Sequence, residues 1–146
     1  MPARSTIRAI VSPEVSEPPA GLFSNCLVVG DTIHISGQHA GSAHGAVGGN
    51  SMLDQSREAL RRVLHLIEAA GGTADDVVKL TVYLCDMERK ADFSVARREV
   101  FAEPLPCSTL VGVNALVGAD LLVEVDAIAM IGSGGRRAGN SPGGLT

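Results

Sequence analysis

The 146-residue chain has the length of one ordinary domain, and 45% of its residues are hydrophobic, enough to build a core. Aromatic residues make up 3% and tryptophan is absent, so this core must be aliphatic. A net charge of −4 without any basic bias argues against nucleic acid as a partner. No apolar run resembles a signal peptide or a membrane span. Three cysteines without CxxC spacing argue against a disulfide framework or a zinc site, and a reducing cytoplasm is the expected location.

The first part of the chain has the pattern of short strands. Apolar runs at 7–11, 26–29 and 32–36 predict three of them. Gly30-Asp31, between the last two runs, predicts a hairpin turn. The three prolines within 12–21 predict a loop, because proline removes a backbone donor and fixes its own φ.

Two helices are predicted farther along. Over 51–70, apolar residues recur at steps of three and four and form one apolar face. Ser51 followed by Asp54 has the spacing of an N-terminal cap, and Gly71-Gly72 supplies a left-handed stop. A second helix is predicted over 89–102.

Further strands are predicted at 78–84, 109–113 and 122–130. The order of the elements predicts an α+β domain in which two helices cover one face of an antiparallel or mixed sheet. Both faces of the 122–130 run look apolar, so the uncovered face is expected to drive self-association. The domain is expected to span 1–131, and the glycine-rich segment 132–146 to be a disordered tail.

Five segments, in order, resemble motifs of the Rid family, the YjgF-type reactive-intermediate deaminases. They are GLFS at 21–24, ISGQ at 35–38, EAAG at 68–71 with DDVVK at 75–79, PCSTLVGV at 106–113 and LVEVDAIA at 122–129. The resemblance implies a chorismate-mutase-like fold, a homotrimer closed as a barrel, and clefts between subunits that bind small ligands. Members with full motifs hydrolyse reactive imines and enamines, such as 2-aminoacrylate, to keto acids and ammonia. No metal or organic cofactor is implied.

The chain departs from the family motifs at three positions. The family arginine, which clamps the substrate carboxylate, falls at Ser108, and a hydroxyl cannot imitate a guanidinium fork. Losing such a charge-assisted contact costs about 1.5–3 kcal/mol, so weak turnover of 2-aminoacrylate-type intermediates is expected. The family tyrosine falls at Phe23, and a common asparagine falls at Ser94.

Glu124 is the strongest catalytic candidate. It lies in an otherwise apolar strand, where a buried carboxylate is costly without a partner or a task. The resemblance implies that it holds the attacking water and relays its proton. The alternatives are a structural carboxylate bonded to backbone donors, or a solvated one. Asp126, on the same face, either shares a proton with Glu124 or belongs to a surface pair.

The substrate-binding residues implied by the resemblance come from several segments. Tight packing at the end of a strand explains Ser36 and Gly37 almost as well. Cys107 is either a backbone oxyanion donor, a nucleophile or a small filler. They are Phe23, Ser36, Gly37, Ser94, Cys107 and Ser108.

A replacement for the missing arginine has three candidates in the sequence. Arg97 and Arg98 lie on the second predicted helix, where the alternative is a solvated helix face. His39 follows the ISGQ motif, on a segment that is predicted to be a loop. The spacing of His34, His39 and His44 matches no standard zinc pattern, so no metal is expected.

Two functions from different classes follow. The first is hydrolytic deamination of a small imine or enamine, of 2-aminoacrylate type or aminomuconate-like, by a hydrolase acting on C=N bonds. The second is a non-catalytic trimer that binds or senses a small molecule. RNA cleavage is disfavoured by the acidic charge.

Overall fold

The computed structural model describes residues 3–136, which form a six-stranded sheet and two α-helices. The elements are β1 (Ile7–Ala9), β2 (Cys26–Val29), β3 (Thr32–His39), α1 (Met52–Ala69), β4 (Val77–Leu84), α2 (Lys90–Arg98), β5 (Cys107–Gly112) and β6 (Val123–Met130). The predicted α+β class, with a mixed sheet and two helices, is confirmed.

The sheet has the order β1-β2-β3-β6-β4-β5. All neighbours are antiparallel except β4 and β5, which run parallel. A parallel pair needs a crossover connection, and α2 supplies it. β5 is therefore an edge strand next to the helix that precedes it.

The longer helix, α1, begins and ends where the sequence predicts. The Ser51 hydroxyl accepts a hydrogen bond from the Asp54 backbone N–H at 3.1 Å, which caps the first turn. Gly71 follows the last turn with φ of 93°, a conformation that glycine adopts without strain. The apolar face of α1 packs against β3, β6 and α2. Its core residues are Met52, Ala59, Leu60, Val63, Leu66 and Ile67.

The second helix is shorter than the predicted 89–102. It covers Lys90–Arg98, and Phe93 and Ala96 are its buried residues. After Arg98 the chain closes in a tighter turn, in which the Glu99 and Val100 N–H groups donate to the carbonyls of Ala96 and Arg97, three residues back. Phe101, which falls within the predicted helix, is buried just beyond the end of the observed one.

Two predictions about the sheet faces are wrong. The alternation over 78–84 predicts that Val78 lies on the core face with Leu80, Val82 and Leu84, but Val78 is exposed because β4 shifts register between Val77 and Lys79. The uncovered face of β6 is also only half apolar. Glu124 and Asp126 occupy two of its four positions, and only Ile128 and Met130 fit the expectation.

The end of the described chain is ordered as far as a short turn. Gly134–Arg136 form a 3-10 turn, and the Gly134 N–H donates to the Asp76 carboxylate at 2.7 Å. The rest of the predicted tail, 137–146, lies outside the described residues. No helix within residues 3–136 is long and apolar enough to cross a bilayer.

Candidate functional site

An open cavity of about 470 Å³ lies on the sheet face that the helices leave uncovered. It brings together four of the residues predicted for the site, from the loop before β2 and from β3 and β6. It also contains a histidine that the sequence had not assigned to the site. The cavity is lined by Phe23, His34, Ile35, Ser36, Gly37, Glu124, Asp126, Ala127 and Ile128.

A bulge in β3 shapes this cavity. Ile35 pairs with Ala127 and Gln38 with Val125, so Ser36 and Gly37 both lie opposite the single residue between those partners. A Cβ atom on Gly37 would lie 2.8 Å from the carboxyl carbon of Glu124. Only glycine therefore allows Glu124 to lie directly over the bulge.

The Glu124 side chain is half-buried against this glycine. Within residues 3–136, no hydrogen bond or ion pair holds its carboxylate, in contrast to the bonded carboxylates of Glu58 and Asp76. The alternative of a structural carboxylate bonded to backbone donors therefore has no support in the described chain. Both carboxylate oxygens are available to a ligand or to water.

His39 lies beside Glu124. The pattern predicts that β3 ends at residue 36 and that His39 lies in a loop, but the strand continues through the bulge and pairs His39 with Glu124. Paired residues of antiparallel strands project to the same face. Burial lowers the pKa of His39, and the negative charge of Glu124 only partly opposes this effect. Its Nδ1 accepts from the Gly41 N–H at 3.0 Å, so the neutral ring carries its hydrogen on Nε2.

For Asp126 the structure supports the second of the two alternatives, a side-chain pair, and the partner is Tyr83. Tyr83 donates its hydroxyl hydrogen to Asp126 at 3.1 Å. This bond raises the pKa of Tyr83 and keeps the phenol protonated. Tyr83 is not among the predicted site residues, although the alternation along β4 places it on the outward face of the sheet. Asp126 is thus part of a pair with Tyr83 rather than one that shares a proton with Glu124.

Ser36 and Phe23 shape the rim of the cavity. The Ser36 hydroxyl donates to the Ser24 carbonyl at 2.5 Å, which ties the turn at 21–24 to the bulge. Its hydrogen is therefore committed to the fold, and only its oxygen can accept a bond from a ligand. Phe23 is 59% exposed, an open apolar wall.

The remaining predicted residues lie elsewhere. A second cavity, of about 370 Å³, lies on the helix side between α2 and β5, and it contains Ser94 and Ser108. Arg97 donates from Nη1 to the Ser108 hydroxyl at 3.0 Å. Cys107 is exposed and lines neither cavity. The second cavity is lined by Leu80, Ser94, Arg97, Arg98, Phe101, Leu105, Pro106 and Ser108.

The predicted site is therefore divided between opposite faces of the sheet in one chain. Ser108 pairs with Leu80, a core residue on the helix side, whereas Glu124 lies on the uncovered side. Sequence reading could not see this separation, because it follows from the register of β4 with β5. Among residues 3–136, no group of three His, Cys, Asp or Glu side chains is arranged to hold a metal ion.

Comparison with known proteins identifies the family. The family described as Endoribonuclease L-PSP matches residues 14–131. A RutC family protein of Pyrococcus horikoshii is 32% identical over 84% of this chain and 98% of its own length. The 2-iminobutanoate/2-iminopropanoate deaminase of Mus musculus is 30% identical over 88% of this chain and 95% of its own. A Pseudomonas aeruginosa protein of unknown function superposes with a TM-score of 0.80 at 34% identity, covering 88% of this chain and 94% of that one. The chain therefore belongs to the endoribonuclease L-PSP family, which is the YjgF or Rid family.

Proposed function

We propose that this protein hydrolyses a small imine or enamine to a carbonyl compound and ammonia, with Glu124 as the catalytic residue. The observation that carries the proposal is the half-buried Glu124 carboxylate, which has no bonding partner within residues 3–136 and lies over the Gly37 bulge beside a neutral His39. A carboxylate on a rigid strand that lacks a bonding partner in the fold is well suited to position a water and to accept its proton.

The proposed reaction balances with water alone. As the water oxygen attacks the carbon of the C=N bond, Glu124 accepts one of its protons. Glu124 then returns that proton to the nitrogen, which gives a carbinolamine. In a second transfer, Glu124 accepts the hydroxyl proton of the carbinolamine and delivers it to the nitrogen, so that the C–N bond breaks and ammonia leaves as the C=O bond forms. An enamine enters this sequence after tautomerising to the imine. The neutral His39, with its hydrogen on Nε2, lies next to Glu124 and can donate a hydrogen bond during these steps.

The site is proposed to be completed by a second copy of the chain in a homotrimer. Two features support this assembly: the cavities lie on opposite faces, and β5 is an exposed edge strand next to the second cavity. If the α2–β5 edge of one copy packs against the uncovered face of another, Ser94 and Ser108 are brought toward Glu124. A small ligand would then bind at the subunit interface.

The names of relatives support the same class of reaction. The mouse relative is named for deamination of 2-iminobutanoate and 2-iminopropanoate, and we propose substrates of comparable size here. RNA cleavage, which the family's description mentions, is less well supported, because Glu124 and Asp126 place negative charge on the open face. The three free cysteines fit the cytoplasm as the proposed location.

A non-catalytic trimer that binds a small molecule is the second candidate. The replacements at Phe23 and Ser108 favour it, because they remove a phenol and a guanidinium from positions where the family motif has them. This candidate retains the cavities and the assembly but requires no proton transfer.

Ammonia release distinguishes the two candidates. A separate enzyme generates a 2-imino acid or 2-aminoacrylate in situ, and ammonia formation is followed with and without this protein. The deaminase proposal requires an acceleration that is proportional to protein concentration. Ammonia release at the uncatalysed rate, for both carboxylate-bearing and neutral imines, would leave the binding trimer as the better description.

A further inference from the structure

We infer that Arg97, on helix α2, supplies the cation that the family motif would place at Ser108, and that the cavity between α2 and β5 is an anion site for a small carboxylate. This inference deepens the proposed function, on which its connection to catalysis rests. It replaces the sequence-based expectation that carboxylate substrates are turned over weakly.

The guanidinium of Arg97 is fixed in position from two sides. Nη1 donates to the Ser108 hydroxyl at 3.0 Å, and the guanidinium carbon lies 5.6 Å from the centre of the Phe93 ring. Phe93 is fully buried, so the ring is a rigid support. An arginine held in this way loses little side-chain entropy when it binds a ligand.

The positive charge of this guanidinium is also not balanced by a carboxylate within residues 3–136. Arg57, Arg61 and Arg89 each form an ion pair with a carboxylate at 3.0 Å or closer. Within residues 3–136, Arg97 makes no ion pair, although four of its five N–H groups are not used by Ser108. A positive charge that is positioned but unpaired, at the wall of a cavity, favours an anionic ligand.

The cavity suits a small carboxylate with a short apolar portion. Leu80, Phe101, Leu105 and Pro106 supply most of its lining. Ser108 accepts from Arg97, so its own O–H is free to donate to the same anion. The cavity volume of about 370 Å³ lies at the lower end of the range for small-molecule sites and is sufficient for a short carboxylate.

The substitution at Ser108 and the position of Arg97 are mutually consistent. An arginine at position 108 would place a second guanidinium beside that of Arg97, and like charges at such a distance repel. A serine there instead accepts a bond from the helix arginine. One cation is thus present in either arrangement, contributed by the strand in the family motif and by the helix in this chain.

Binding of a stable 2-oxo carboxylate tests the inference without turnover. Pyruvate and its neutral amide are titrated calorimetrically into the full-length protein and four variants. The wild type should bind pyruvate and discriminate against the amide. Arg97→Gln should weaken pyruvate binding by roughly 10- to 100-fold. Lys90→Gln removes one positive charge from the same helix outside the cavity and should leave the affinity unchanged.

A double variant that exchanges the side chains at positions 97 and 108 is the decisive test. Arg97→Ser combined with Ser108→Arg moves the cation back to the strand and should restore pyruvate binding. Equal affinity of wild type and Arg97→Gln, or no pyruvate binding by the wild type at millimolar concentration, overturns the assignment. Loss of binding in Arg98→Gln but not in Arg97→Gln overturns it as well.

The experiments can refute the anion site and the catalytic proposal independently of each other. Arg97-dependent pyruvate binding without any ammonia release would retain the anion site and remove the deaminase. Ammonia release from 2-imino acids that is equally fast in Arg97→Gln would retain the deaminase and remove the anion site.

Discussion

Gly37 and Glu124 define the proposed chemistry at the scale of single residues. Glycine is required at position 37 because the space of a side chain there is taken by Glu124. The glycine of the ISGQ motif therefore has a steric reason, which the sequence alone could not reveal. The sequence indicated that each residue belongs to the site but not that they touch, since the contact depends on the β3 bulge.

Replacing Gly37 should show how the position of the Glu124 side chain affects activity, without a loss of fold stability. In Gly37→Ala, the new methyl group would lie 2.9 Å from Cγ of Glu124, so the flexible Glu124 side chain must turn away. We expect ammonia release to fall about 100-fold, since such a displacement misplaces the reacting group, while the fold persists. Gly135→Ala, where a Cβ meets open space, is the matched control. An active Gly37→Ala variant would show that the Glu124 position is not critical.

His39 should make stability depend on pH. Burial lowers its pKa below the ordinary value of 6.5, so the unfolded chain binds a proton more readily than the folded one. The free energy of unfolding should therefore fall as the pH drops through about 6.5 and level off below the folded pKa. Protonation at Nδ1 also breaks the bond from Gly41. Urea unfolding between about pH 7.5 and pH 5 should show a smaller fall for His39→Asn than for the wild type. Identical pH profiles would exclude His39 as the origin.

At the scale of elements, the sequence predicted what depends on local periodicity. The helix over 51–70, its Ser51 cap, the turn at Gly30-Asp31 and most strand positions are confirmed within one or two residues. The prediction was wrong where pairing decides the outcome. The register shift at Val78 and the β3 bulge depend on partners far away in sequence, whereas the parallel β4–β5 pair agrees with the antiparallel or mixed sheet that the order of the elements predicts.

Two adjacent residues of α1 should respond oppositely to substitution. Gln55 is fully buried, donates to the Gly49 and Asp120 carbonyls at 2.7 and 2.9 Å, and accepts from the Leu122 N–H at 2.9 Å. Gln55→Leu should lower the free energy of unfolding by about 2–4 kcal/mol, because these backbone groups lose their partner.

The neighbouring Ser56 provides the control. Its hydroxyl is buried without a hydrogen-bond partner among the described residues. Ser56→Ala should leave stability unchanged or raise it by up to about 1 kcal/mol. Urea unfolding at one fixed protein concentration measures both variants. Equal destabilisation by the two substitutions would contradict the assigned role of Gln55.

At the scale of the whole molecule, the uncovered sheet face that suggested self-association is partly polar, since Glu124 and Asp126 project from it. The proposed assembly now depends on the division of the site between two faces and on the exposed β5 edge.

Sedimentation equilibrium tests the assembly. We expect a particle with three times the chain mass at micromolar concentration, because each proposed site needs two copies. Introducing a charge at the β5 edge, as in Val111→Lys, should weaken association and reduce ammonia release together. A wild-type protein that is monomeric yet catalytically active would exclude the shared site.

The most direct measurement is the rate of ammonia release by Glu124→Gln, with its mass and melting temperature determined in parallel. The substitution keeps the shape of the side chain and removes its ability to accept a proton. Our proposal predicts a fall of roughly 10²- to 10⁴-fold in an intact assembly. Full activity in a stable Glu124→Gln protein would contradict the mechanism and direct attention to His39.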